Sequence, residues 1–213
     1  MPTHPKKSLK IAQWNANGLQ GKTEELKQFL REFNIDIMAI NETKFCEKSK
    51  LYIPGFNCYR LDRNPTNRAG GVIILAKSDI DCEEVHFKTA NMETIGININ
   101  SNTTIVSAYL SPKNLHKETE LDELYNSGNK VIVIGDLNSK HQSWDCSRRS
   151  NKNGRDLFNF LRYKEFVLLA PDRPTHYPYA SEHAPSIIDV ALVKNIPNCT
   201  IEVYNELDSI TVF

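Results

Sequence analysis

Lys130-Val-Ile-Val-Ile-Gly-Asp-Leu-Asn138 decides the fold. Residues 131–134 are an unbroken apolar run of β-branched side chains, which reads as a strand buried on both faces. Gly135-Asp136-Leu137-Asn138 then turns polar, so two hydrogen-bonding side chains lie two apart where the strand leaves the core. Working outward, the same motif recurs. Residues 9–14 alternate as a strand and stop at the turn Asn15-Ala-Asn-Gly18. Residues 35–40 form a strand that ends on Asn41-Glu42-Thr43. Residues 71–76 have the continuity of a buried strand. Residues 93–100 and 103–110 flank Ser101-Asn102 as a hairpin. Late strands are expected at 187–193 and 200–204. Helices are expected at 23–33, where Leu26, Phe29, Leu30 and Phe33 recur at helical spacing, and at 117–126 and 154–163. Strands dominate, and two packed sheets with helices outside would bury them.

The composition limits the function classes. The 213 residues hold no Pro/Gly/Ser-rich linker and no repeat, so one domain is expected over residues 9–213 after a flexible segment at 1–8. Hydrophobic residues make up 40% and charged residues 24%, enough to build a core and too apolar for disorder. Lys plus Arg and Asp plus Glu are 26 each, so a globally basic nucleic-acid binder is excluded, though a local basic face is not. No apolar run is long enough for a transmembrane helix, and no secretory signal is expected at the N-terminus. The five cysteines form no C-x-x-C, so neither a disulfide framework nor a zinc knuckle is expected. They read as small buried hydrophobes of a reducing compartment.

Asn15, Glu42, Tyr109, Asp136, Asn138 and Asp189 each lie in or at the end of an apolar strand. One such residue is ordinarily a turn or cap. Six in one chain weaken that reading without replacing it: a desolvated carboxylate without a partner costs several kcal/mol, and convergence on a cation would remove the cost. Oxygen donors without cysteine suit Mg²⁺ or Mn²⁺ rather than zinc.

Gln13-Trp-Asn-Ala-Asn-Gly-Leu19, Ile40-Asn-Glu-Thr43, Ser107-Ala-Tyr-Leu-Ser-Pro112, Ile134-Gly-Asp-Leu-Asn138 and Ser186-Ile-Ile-Asp-Val190 occur in that order. Together they resemble the exonuclease–endonuclease–phosphatase superfamily, which includes the apurinic endonucleases. Asn138-Ser-Lys-His-Gln-Ser-Trp144, Asn153-Gly-Arg155 and Pro174-Thr-His-Tyr-Pro178 narrow the resemblance to the endonuclease domain of jockey-type non-LTR retrotransposons. The resemblance implies an α/β fold, a four-layer αββα sandwich of two packed, mostly antiparallel sheets with outer helices. It implies a Mg²⁺-dependent endonuclease that nicks one strand of double-stranded DNA and leaves a 3′-hydroxyl. That hydroxyl would prime a reverse transcriptase domain of the same polyprotein, acting on chromosomal DNA in the nucleus. Glu42 matches the family's metal-ligand glutamate, and Asn15 the asparagine that supports the metal and its neighbouring acids. Asp136 matches the aspartate that orients or deprotonates the attacking water. Asn138 matches the asparagine on the scissile phosphate, Tyr109 the tyrosine that donates to a phosphate oxygen, and Asp189 the aspartate that fixes the catalytic histidine.

That histidine, in Ser-Asp-His, is absent: Asp208-Ser209 runs directly into Ile210, and no histidine follows His183. A missing loop segment, a deliberate deletion and a decayed copy all fit. The first is favoured because 206–209 and 210–213 both read as strand borders. Three other functions stay open: an abasic-site repair endonuclease, a phosphatase or deadenylase, and a catalytically dead DNA-binding module.

Around this set, Arg148, Arg149, Lys152 and Arg155 are the densest basic cluster and candidate phosphate contacts. His141 and Trp144 either line the DNA cleft or pack beneath a loop. Arg60, Arg63 and Arg68 flank a turn and are weaker candidates. Residues 175–185, with His176, Tyr177, Tyr179 and His183 between prolines, read as a hairpin braced for a DNA groove, with Tyr177 and Tyr179 as contacts.

Overall fold

The computed structural model describes residues 8–63, 69–145, 149–178, 184–204, 207 and 210–212. The chain begins with β1 (Ile11–Asn15), α1 (Thr23–Glu32) and β2 (Ile37–Asn41). β3 (Phe56–Leu61), β4 (Val72–Lys77) and β5 (Cys82–Val85) follow, then the hairpin of β6 (Met92–Ile99) and β7 (Thr103–Leu110). α2 (Glu118–Tyr125) precedes β8 (Lys130–Asp136), and α3 (Lys152–Tyr163) precedes β9 (Val167–Leu169). β10 (Asp189–Lys194), β11 (Glu202–Tyr204) and β12 (Ile210–Val212) complete the described elements.

The strands form two six-stranded sheets, ordered β11-β12-β1-β2-β4-β3 and β5-β6-β7-β8-β10-β9. Only β1–β2 and β7–β8 pair in parallel among the described strands; every other pairing is antiparallel. Both parallel pairs are joined by chain that carries a helix, as a crossover requires. Helix α1 covers the outer face of the first sheet through Leu26, Phe29 and Leu30. Helices α2 and α3 cover the second through Leu121, Leu124, Leu157 and Phe160. The expected αββα sandwich is therefore observed.

The layer between the sheets positions the site. Strand alternation sends every second residue there: Ile11, Ile37, Ala39, Ile105, Ile132, Ile134, Ala191 and Val193 form one apolar cluster. Continuing the same alternation gives Gln13 and Asn15 on β1, Asn41 on β2, Ser107 and Tyr109 on β7, Asp136 on β8 and Asp189 on β10. The inter-sheet layer thus turns from hydrocarbon to polar groups at one end of the sandwich.

Three strands escaped the sequence reading: β3, β5 and β9. Each is the edge of a sheet, and each mixes exposed and half-buried positions instead of reading as an apolar run. The expectation of buried cysteines is also corrected for the four described ones, Cys146 lying outside the described residues. Cys58 on β3 is exposed, and Cys46, Cys82 and Cys199 are only half-buried. No helix among the described residues is long and apolar enough to cross a membrane.

His116 links α2's approach to the site-side loop. Its Nε2 lies 2.7 Å from Ser139 Oγ, and its backbone N–H donates to Asn153 Oδ1 at 3.1 Å. Burial holds the imidazole neutral and lowers its pKa to about 4. The unfolded chain takes up a proton near pH 6.5 that the folded chain refuses until about 4. Stability is therefore full above pH 6.5 and falls between those values, by up to about 3 kcal/mol. Denaturant midpoints at pH 7.5 and pH 4.5 should differ more in the wild type than in His116→Gln. Equal differences would remove His116 as the source.

Candidate active site

A cleft of about 830 Å³ opens where the inter-sheet layer turns polar, and Asn15, Glu42, Asp136, Asn138 and Asp189 line it. Asn15 and Asn41 are register partners at the end of the parallel β1–β2 pair, and Glu42 is the next residue. Asp136 and Asp189 are register partners on antiparallel β8 and β10, which sets the two acids directly opposite each other. Strand pairing within each sheet, and the packing of the two sheets, thus bring residues from four distant segments to one end of the sandwich.

The asparagine amide organises the acids. Asn15 Nδ2 donates to Glu42 Oε1 at 3.0 Å and to Asp136 Oδ2 at 2.8 Å, while its Oδ1 accepts the Asn17 N–H at 3.1 Å. Both amide protons are spent on separating and fixing two carboxylates. The other Asp136 oxygen accepts the Asn138 N–H at 2.9 Å. Asn138 Nδ2 donates one proton to the Leu110 carbonyl at 2.9 Å, leaving its second directed elsewhere. Glu42 and Asn138 both adopt left-handed backbone, with φ of +50° and +45°. This conformation costs a non-glycine residue of order 1 kcal/mol, and here it aims both side chains.

The electrostatics follow from burial. Asp136 is 2% exposed and Asp189 5%. Burial, and then Asp189 opposite, push the Asp136 carboxyl well above the usual range. Burial raises Asp189 to about 6, against hydrogen bonds from Thr175 and Gln13 that lower it. Burial and the adjacent Glu42, which it hydrogen-bonds, raise the Tyr109 phenol, so Tyr109 stays protonated and remains a donor. No Lys or Arg forms an ion pair with Glu42, Asp136 or Asp189 among the described residues.

A divalent cation fits this donor set. Among the described residues no three His, Cys, Asp or Glu side chains form a ready-made cage. Mg²⁺ needs no such cage: it keeps several waters and takes one or two carboxylates plus substrate phosphate. Glu42, with an oxygen facing an open polar cleft beside a buried acid pair, supplies that kind of site.

The outer candidates divide. Tyr177 is 62% exposed and stands at the cleft with His176. His141 is corrected: it is 8% exposed, stacks on Phe158 at 4.2 Å and packs against Trp144 at 4.9 Å. An imidazole sandwiched between rings under a loop has no face for DNA. Arg149 is exposed, and Arg155 Nη1 caps the Ser150 carbonyl at 2.9 Å; neither lines the cleft. Arg60 braces the Cys46 and Ser49 carbonyls, and Arg63 pairs with Glu93 and covers the Tyr109 ring. Arg68, Arg148, Tyr179, His183 and the Asp208-Ser209 junction lie outside the described residues.

Sequence reasoning missed Lys22 and Lys140, which flank the cleft, and the buried Gln13, Asn41 and Thr175. Gln13 carried a usable signal, because it sits two residues before Asn15 on the same strand face.

The sequence profile of the endonuclease/exonuclease/phosphatase family matches residues 12–209. The chain belongs to that family. It is 33% identical over 201 residues to a probable RNA-directed DNA polymerase from the X-element transposon of Drosophila melanogaster, covering 88% of this chain and 21% of that protein. It is 30% identical over 188 residues to the RNA-directed DNA polymerase from the mobile element jockey of the same fly, covering 85% and 20%. The chain thus spans about a fifth of these relatives. Among solved structures, the endonuclease domain of TRAS1, a telomere-specific non-LTR retrotransposon, superposes with a TM-score of 0.74 at 19% identity, covering 96% of this chain and 97% of that one. An AP endonuclease from Archaeoglobus fulgidus gives 0.70 at 15% identity, covering 96% and 98%. The profile match shows the family, and the relatives named are proteins of mobile elements.

Proposed function

We propose that this domain nicks one strand of double-stranded DNA in a Mg²⁺-dependent hydrolysis, with Mn²⁺ as a substitute, and leaves a 3′-hydroxyl. A reverse transcriptase domain of the same polyprotein then primes from that hydroxyl on chromosomal DNA in the nucleus. The observation that carries this reading is the Asn15-centred pair of carboxylates in a cleft flanked by Lys22 and Lys140.

Glu42 is the residue that would hold the cation, and Asn15 keeps it apart from Asp136. When bound, Mg²⁺ supplies charge neutralisation at the phosphoryl oxygens and at the leaving alkoxide. Asp136, with a carboxyl raised by burial, accepts the proton of the attacking water. The second side-chain N–H of Asn138, and the Tyr109 phenol once a phosphate oxygen replaces Glu42 as its acceptor, offer hydrogen bonds to the charge developing on the phosphate oxygens. Lys22, Lys140 and Tyr177 bind the flanking backbone, and the segment 175–185 selects the site by groove shape. Arg148, Arg149, Arg155 and Tyr179 remain candidate outer contacts.

Glu42→Ala should abolish Mg²⁺-dependent conversion of supercoiled plasmid to nicked circles, by at least about 10³-fold, with an unchanged circular dichroism spectrum. Near-normal Mg²⁺-dependent nicking would remove Glu42 from the site. Cleavage strongly favouring abasic over intact duplex would make repair the better reading. Activity on small phosphoesters with indifference to duplex DNA would favour a phosphatase.

A further inference from the structure

We propose that Gln13 is a positioning residue for this hydrolysis, its buried carboxamide locking Asp189 and, through Asn41, the backbone of Asp136 into one arrangement. The inference rests on the nuclease reading above and adds a residue that touches neither DNA nor cation.

Gln13 is 1% exposed and Asn41 and Ser107 are fully buried between the sheets. Gln13 Nε2 donates to Asp189 Oδ1 at 2.9 Å and to Asn41 Oδ1 at 3.1 Å. Asn41 Oδ1 also accepts the Asp136 N–H at 2.9 Å, and Asn41 Nδ2 donates to Ser107 Oγ at 3.1 Å. Every orientation in this chain is forced. The Asp136 N–H can only donate, so Asn41 must present its oxygen there. Gln13 then faces two acceptors, and only its NH₂ group can serve both. The bonds cross from β1 and β2 of the first sheet to β7, β8 and β10 of the second. Both acids of the facing pair are therefore tied to the linked Gln13–Asn41 amides, Asp189 by its side chain to Gln13 and Asp136 by its main chain to Asn41.

Gly135 shows how tightly the link is made. A Cβ there would fall 2.8 Å from Asn41 Oδ1 and 1.8 Å from the Ala108 carbonyl. The strand approaches closely enough for a side chain of the other sheet to reach the Asp136 amide. Fold stability alone does not call for such a network, because buried polar pairs are often replaceable by apolar groups of the same shape. Fixing two carboxylates to a fraction of an ångström does call for it, since misplacement of about 1 Å can cost about 10²-fold in rate.

The test is a double-mutant cycle of Gln13→Met, which keeps length and volume, with Asp189→Leu, which removes the acceptor, read by single-turnover nicking and by DNA binding. Gln13→Met alone is expected to lower the turnover rate about 10- to 100-fold with KM within about threefold. On the Asp189→Leu background the same change should have little further effect. A full, additive loss on that background, or a loss confined to KM, would overturn the proposal. If the Met variant does not fold, Gln13→Glu serves in the same cycle with the same criterion. A readout independent of turnover is the Gln13 side-chain NH₂ signal in ¹⁵N spectra. Its hydrogen exchange should be slow in the wild type and faster in Asp189→Leu, and fast exchange in the wild type would also overturn the proposal. A wild type that does not nick DNA would count against the nuclease reading instead, and the exchange arm would still decide the Gln13 contact.

Discussion

Asp136→Asn should lower the single-turnover nicking rate by about 10³- to 10⁴-fold while DNA affinity, measured without a cleavage-supporting cation, stays within a few-fold. The substitution preserves shape at a residue 2% exposed, so the cleft is not remodelled. It removes the proton acceptor. The amide also keeps only one of the two hydrogen bonds that Asp136 accepts, from Asn15 and Asn138. Against that loss, it removes the repulsion between two acids facing each other on paired strands. The two effects oppose, and the thermal midpoint should move by only a few degrees. Binding and cleavage falling by one common factor would make Asp136 a positioning group rather than a base.

The second large effect is on folding. Gly154→Ala should destabilise the protein by about 3 kcal/mol or more, seen as a lower urea midpoint or as failure to accumulate folded protein. Gly154 lies in the first turn of α3, where alanine is ordinarily the better helix former. Here an added Cβ would meet the Lys140 carbonyl oxygen at 1.8 Å and its carbon at 2.4 Å. The approach is close because Asn151 is both cap and tie. Its Oδ1 accepts from Gly154 N at 2.7 Å and Lys140 N at 3.1 Å, and its Nδ2 donates to the Asn138 carbonyl at 2.7 Å. Helix α3 is thereby bolted to the loop that carries Asn138. Stability within about 1 kcal/mol of the wild type would mean that this joint relaxes freely.

Much of this was legible in the sequence, for a definite reason. β2, β4 and β8 are central strands covered on both faces, so their apolar runs had no competing reading. Asn15, Glu42, Asp136 and Asp189 stood out because a polar group at the end of such a run is costly. The edge strands β3, β5 and β9 carried no such run. Gln13, Asn41 and Ser107 stayed hidden because an amide or hydroxyl within a strand is ordinary. What makes them unusual is contact across 66 to 176 residues of chain. Lys22 and Lys140 read as solvated lysines until the strand ends were assembled around them.

The left-handed backbone at Glu42 and Asn138 has an evolutionary corollary. Glycine adopts φ near +50° without penalty, so a random change of Glu42 to glycine relieves conformational strain while it erases the cation ligand. Purifying selection against misfolding, which removes damaged copies of most proteins, is blind to that change. Copies of the gene that carry it would therefore persist as well-folded proteins.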